Sequence, residues 1–221
     1  MKETNTQRVP ATAKGEATRA HLLRTAAAIF AERGYAATTQ NDLIAASGLT
    51  KGAFYFYFRS KADLALAVLR EQKGRWLTEV GERVIAEPTA SQQLRALVPT
   101  MLDLISREPA AWSVTRLTRE LSADPALAAE VSKVPVDWLA FIADIVRRGQ
   151  ADGDLRAGLE PESVAAVLVG AFDGLKDLTD VLEPGDRGGV AFTERVRTFL
   201  AIVELALVPH PKKSKAPRED S

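Results

Sequence analysis

The chain has 221 residues, 46% of them apolar, so it can build a core for one compact domain or two small ones without staples. Cysteine is absent, which excludes a disulfide framework, a thiolate zinc site and a cysteine nucleophile. The formal net charge is zero but unevenly placed: up to Lys61 nine basic residues face four acidic ones, a surplus of +5 that the remainder offsets with −5, as suits a head that meets phosphates and a body that does not.

In chain order, Leu23, Ala26, Ala27 and Phe30 recur at helical spacing and give one apolar face that ends at Arg33 and Gly34. Thr38 and Thr39 then cap a short helix through Asp42 to Ala46, with Leu43 pointing inward, and Ser47-Gly48-Leu49 breaks it. Thr50 is an N-cap for a third short helix, KGAFYFYF, and Ser60 caps a fourth that runs to about Ala86. After Glu87-Pro88 the pattern predicts helices over about 90–106, 109–121 and 125–149, with Pro99 and Pro135 expected to kink or interrupt them. Two last helices flank the loop 183–189. One carries the stripe Val164, Val167, Leu168, Ala171, Leu175, Leu178 and Leu182; the other carries Val196, Phe199, Leu200, Val203 and Leu207.

No run alternates with period two for long enough to be a strand, so the expectation is an all-α chain. Its parts are an arm (1–16), a three-helix head (17–62), a helical body (63–208) and a tail (209–221), with arm and tail polar and expected to be disordered. The N-terminus lacks an apolar h-region, and no stretch reaches the roughly 18 apolar residues of a membrane span, so a soluble, cytoplasmic protein without membrane contact is expected.

Residues 38–57 have the layout of a helix-turn-helix: a two-turn helix braces the next, a glycine allows the corner, and the second helix opens with small or hydrogen-bonding residues. Lys51 can neutralise a phosphate, Gly52 and Ala53 permit close approach to base edges, and Tyr55 and Tyr57 offer hydroxyls to phosphate oxygens. With Thr39, Gln40, Thr50 and Lys61 they make up the expected DNA-facing set. Phe54 and Phe58 lie four apart on the helix's inner face, while Phe56 suits either side.

As a string this region resembles the TetR family signature. The match stands on Thr38-Thr39, Asp42-Leu43, Ser47-Gly48-Leu49, Thr50-Lys51-Gly52, Tyr55, Phe58, Ser60-Lys61 and Leu64, with Ala26-Ala27, Phe30, Gly34 and Tyr35 upstream. The resemblance covers about residues 20–66. It implies a homodimer with an N-terminal helix-turn-helix DNA-binding domain and a C-terminal helical ligand-binding and dimerisation domain. The partners it implies are a double-stranded DNA operator and a small-molecule effector, and the last two helices of each subunit would form the dimer interface.

Within that family the γ-butyrolactone receptor subgroup is similar at Ile44, at Lys51 through Phe58, and at Lys61-Ala62-Asp63-Leu64-Ala65. The subgroup keeps a pocket tryptophan where Trp138 stands, ahead of the turn ending at Leu155. An indole can stack on a flat ring and donate one hydrogen bond to a carbonyl. The expected ligand-binding set is Trp138, Trp112, Phe141, Leu117, Met101 and Phe172. Trp76 is the tryptophan least suited to it, and Asp173, Lys176 and Asp177 have no assigned place. A regulator of efflux or catabolism sensing a drug-like or fatty-acid-like ligand is the alternative.

An enzyme lacks parts here: the two histidines are His21 and His210, and no dinucleotide fingerprint, phosphate-binding loop or zinc-protease motif is present. No catalytic residue, cofactor or metal is expected. A non-specific architectural DNA binder would be more basic and would not need so long an acidic body.

Overall fold

Thr12 starts the first helix, its hydroxyl accepting from the amide of Gly15, so α1 (Ala13–Arg33) begins four residues before the boundary expected at 17. The computed structural model describes residues 12–108, 112, 114–186 and 188–209; the rest of the expected arm and the tail from 210 lie outside the described residues. After α1 come α2 (Gln40–Ser47), α3 (Lys51–Tyr57), α4 (Lys61–Ile85), α5 (Ala90–Arg107) and α6 (Val114–Ser122). The chain ends with α7 (Pro125–Val131), α8 (Val136–Ala151), α9 (Pro161–Leu182) and α10 (Val190–Leu207). The fold is all-helical, with no strand among the described residues. No described helix is long and apolar enough to cross a membrane.

The helices packed on α1 and the first turns of α4 form the head, with Leu22, Leu23, Ala26, Phe30, Leu43, Phe54, Phe58 and Leu64 in its core. The remaining length of α4 runs into the body, where it packs on α5, α6 and α8. Head and body therefore share one continuous helix.

The two prolines behave differently. Pro99 sits inside α5, which runs through it although the ring removes the hydrogen bond to the Arg95 carbonyl. Pro135 divides the helix expected over 125–149 into α7 and α8, because a residue before proline is pushed away from helical geometry.

Of the stripe expected on α9, Val164, Leu168, Ala171 and Leu175 are half-buried and Val167, Leu178 and Leu182 exposed; on α10, Phe199, Leu200 and Val203 are half-buried. Ala165 and Phe172 are buried on α9, as are Phe192, Val196 and Leu207 on α10. Val167, Val181 and Leu182 on α9, and Ile202 and Leu205 on α10, are more than half exposed. Gly170 and Gly174 lie on the same open side of α9, with free space where a side chain would stand.

Candidate nucleic-acid interface and ligand cavity

Both short head helices are started by their own side chains. The Thr39 hydroxyl accepts from the Asp42 amide, and the Asp42 carboxylate accepts from the Thr39 amide (2.8 Å) and hydroxyl (2.6 Å). These bonds hold the Asp42 carboxyl below the usual carboxylate range. Gly48 closes α2 at φ 67°, ψ 11°, a left-handed corner that glycine takes without steric cost. Two residues on, the Thr50 hydroxyl accepts from the Ala53 amide and starts α3.

α3 has two sides. Phe54 is fully buried and tilts against Phe58, which follows the helix. Lys51, Gly52, Tyr55 and Phe56 are exposed, with nothing near the position a Gly52 side chain would fill. Phe56, which the pattern left open, thus belongs to the outer face. Ala53 and Tyr57 are half-buried at its edge, and Tyr57 packs on the core. Thr39 and Thr50 are exposed beside this face but committed to their caps, and Gln40 is half-buried with no partner for its Nε2 among the described residues.

Lys61 corrects the expected DNA-facing set. Its ammonium donates to the carbonyls of Tyr35 (2.9 Å) and Thr38 (2.8 Å) and lies over the Tyr35 ring. It is a clasp across the turn before α2, where it donates to the Thr38 carbonyl and gives the Tyr35 carbonyl a second donor beside the Thr38 amide.

The body holds a cavity of about 60 Å³ lined by α4, α5, α8, α9 and α10. Of the residues singled out in the sequence, Trp138, Met101 and Phe172 line it, together with Leu94, Leu97, Val98 and Ile142. Phe141 stands one layer behind, stacked on Trp138 with ring centres 5.7 Å apart. Leu117 and Trp112 do not line the cavity. Leu117 is buried on α6, while Trp112 donates its indole N–H to Asp180 (2.8 Å) and meets the Phe192 ring edge-on, as core.

The wall also holds Trp76, which the sequence makes the least suited of the three tryptophans, and Lys73, which the sequence does not single out, from consecutive turns of α4. Trp76 is buried, and its Nε1–H has no acceptor among the described residues. The Lys73 ammonium lies 4.8 Å from the centre of the Trp76 ring. Burial pushes Lys73 below the usual lysine range, against the opposing pull of Asp173.

The charges on α9 left unassigned by sequence also find their places. Asp173 lines the cavity and accepts from the Thr115 hydroxyl (2.9 Å), which in turn accepts from Lys176 (2.7 Å). Lys176 is 1% exposed, and burial lowers it to about 8 despite Asp173. Asp177 pairs with Arg119.

α6 joins this cluster to the head. Next to Thr115, Arg116 donates to the carbonyls of Phe30 (2.7 Å) and Ala31 (2.8 Å), where a cation also complements the α1 C-terminus. One turn on, Glu120 accepts from the Tyr35 (2.6 Å) and Ala36 (3.2 Å) amides.

Two family models match the chain. The family model for bacterial regulatory proteins of the tetR family matches residues 22–68, and that for the tetracyclin repressor-like C-terminal domain matches residues 86–173. The fatty acid metabolism regulator protein of Bacillus subtilis is 21% identical over 152 residues, covering 69% of this chain and 78% of its own length. The HTH-type transcriptional repressor KstR2 of Rhodococcus jostii is 27% identical over 190 residues, 84% of this chain and 88% of that protein. A solved structure concerned with the control of antibiotic production by bacterial hormones is 30% identical with a TM-score of 0.72, over 87% of this chain and 98% of that one.

Proposed function

The chain belongs to the TetR family of bacterial transcription regulators, and on that premise we propose that it is a repressor that holds a palindromic operator as a homodimer and releases it when a small, mostly apolar effector enters the body. The observation that carries this reading is α3. It is started by its own cap, anchored by a buried Phe54, and presents Lys51, Gly52, Tyr55 and Phe56 outward on a basic head. A lysine, a tyrosine hydroxyl and an uncrowded first turn are what a major-groove helix needs for phosphate and base-edge contacts.

The homodimer reading is supported by the open apolar sides of α9 and α10. An apolar stripe left in water on two adjacent helices marks an association surface, and the helical glycines Gly170 and Gly174 allow close approach there. α6 supplies a route for release, since it grips the cavity wall through Thr115 and the head through Arg116 and Glu120. An effector acts only through differential affinity: favouring the DNA-incompetent arrangement by about 2.8 kcal/mol shifts the balance roughly a hundredfold.

Two effector chemistries have support. A γ-butyrolactone agrees with the subgroup resemblance around Ile44 and Trp138, and with the likeness to the hormone-linked structure. A fatty-acid-like ligand agrees with the lysine in the cavity wall and with the Bacillus subtilis relative.

Sedimentation together with footprinting against random competitor DNA tests the function. The expected result is a dimer protecting two half-sites whose centres lie roughly 34–36 Å apart or somewhat more. A monomer without site-selective protection would overturn it.

A further inference from the structure

The cavity does not end at its own walls. At Lys73 and Trp138 it adjoins a polar mouth of about 260 Å³, and at Leu94, Leu200 and Val203 it adjoins a rear space of about 120 Å³ reaching Leu155 and Leu207. The middle space shares wall residues with each of the other two and is the smallest of the three. An occupant that spans them must pass through it.

Most polar groups around the three spaces are paired, Arg70 and Lys133 with Glu130, Arg95 with Glu204 and Ser91 with Asp154, but two donors of the middle space are not. Lys73 makes no hydrogen bond or ion pair among the described residues, and the buried Trp76 indole N–H has no partner. An unpaired buried donor is costly, and a cation on an apolar wall is more so unless an anion joins it. Asp173, on the same wall, accepts from the Thr115 hydroxyl and acts on Lys73 through its charge without a hydrogen bond to it. At the mouth, Arg70 (2.6 Å) and Lys133 (2.7 Å) share the single carboxylate of Glu130, and Asp137 is the one acidic residue lining it.

We propose that the three spaces form one elongated site for a straight-chain carboxylate. The carboxylate sits at Lys73 and Trp76 under Arg70 and Lys133, and the chain runs between Leu94 and Val203 to the rear wall. The inference rests on the ligand-gated reading and names its effector by chemistry: an anionic head, an unbranched apolar body and no requirement for a ring.

The test is calorimetric titration of the full chain with straight-chain carboxylates from hexanoate to dodecanoate, beside their methyl esters and an alkyl γ-butyrolactone. Affinity is expected to rise roughly three- to fourfold per methylene until the chain meets the rear wall, then to level off. Each ester should bind at least tenfold more weakly than its acid. Lys73→Met should bring the acid down to the ester, and Trp76→Phe, which keeps the ring and removes the N–H, should weaken the acid independently. Val203→Phe should shorten the chain length at which affinity levels off and spare hexanoate.

Esters or the lactone binding as tightly as the acids would overturn the proposal, as would a length profile unmoved by Val203→Phe. Operator affinity measured on the same samples separates the two readings. Release by the lactone with no acid bound leaves the gating and removes the carboxylate; acids that bind in the expected pattern without altering DNA affinity do the reverse.

Discussion

The polar side chains that start the head helices and those that gather around the body's cavity act over different distances. In the head, Thr39 bonds Asp42, Thr50 bonds Ala53 and Ser60 bonds Asp63, each three residues away. In the body, Lys176 reaches Thr115 across 61 positions and Thr115 reaches Asp173 across 58. Local bonds fix a recognition helix whatever lies beyond it. Long-range bonds exist only when the whole bundle is assembled, so a ligand that rearranges the bundle can reach them.

The sharpest way to break this contrast is to remove the head's own anchor. Phe54→Ala is expected to cost about 3–5 kcal/mol in denaturant unfolding of the head and to abolish DNA binding, while the sedimentation of the body stays unchanged. Loss of the dimer with the head would show that the two regions are not separable.

Lys61→Met probes a long-range clasp in the head, which also has one from His21 to the Ser47 carbonyl (3.0 Å). The substitution takes the lysine donor from the Thr38 carbonyl and leaves the Tyr35 carbonyl only the Thr38 amide, so a loss of about 1–3 kcal/mol is expected, with the salt dependence of DNA binding unaltered. A shallower salt slope would return Lys61 to the interface.

In the body, Lys176 predicts a pH effect. Its folded value of about 8 lies below the usual 10.5, so the unfolded chain holds more protons between those values. Stability is therefore reduced below pH 8 and recovers as the pH rises through that window, by at most about 1.4 kcal/mol per pH unit. Lys176→Met should remove this rise from urea titrations run across the window. Parallel pH profiles for parent and variant would contradict the account.

The smallest effect belongs to Lys51, which is exposed and bonded to nothing among the described residues. Lys51→Ala should leave stability within about 0.5 kcal/mol and lower the salt slope of DNA binding by about one unit, the signature of one lost phosphate contact.

The same contrast explains what the sequence reveals. The caps at Thr39, Thr50 and Ser60, the Gly48 corner and the buried Phe54 and Phe58 are legible because each depends on neighbours a few residues away. The inward turn of Lys61 is not, since its acceptors belong to a turn more than twenty residues earlier. Likewise, five helices meet at the cavity, and no spacing within one helix reveals which partners face it. Hence Trp112 and Leu117, equally apolar, belong to the core elsewhere, and Trp76 was undervalued.

One local signal was available. Leu69, Lys73, Trp76 and Val80 fall on one helical face, as do Phe172, Lys176 and Thr179, so each stripe carries a lysine where its neighbours are buried. A lysine in such a position marks a polar wall. The break at Pro135 was legible as a disturbance, but whether a proline kinks or divides a helix is settled by packing, as the uninterrupted α5 at Pro99 shows.

The central claim is that the body's cavity governs the head's hold on DNA without being part of it. Its most direct test is a pair of operator titrations, with and without saturating decanoate or an alkyl γ-butyrolactone, on the parent and on Trp138→Ala. The account predicts roughly hundredfold weaker operator binding by the liganded parent, consistent with the population shift required. The variant should bind the operator within about twofold of the parent, a difference of only some 0.4 kcal/mol, and should not respond to either compound. A folded variant that has lost DNA binding, or a parent that neither compound releases, would contradict it.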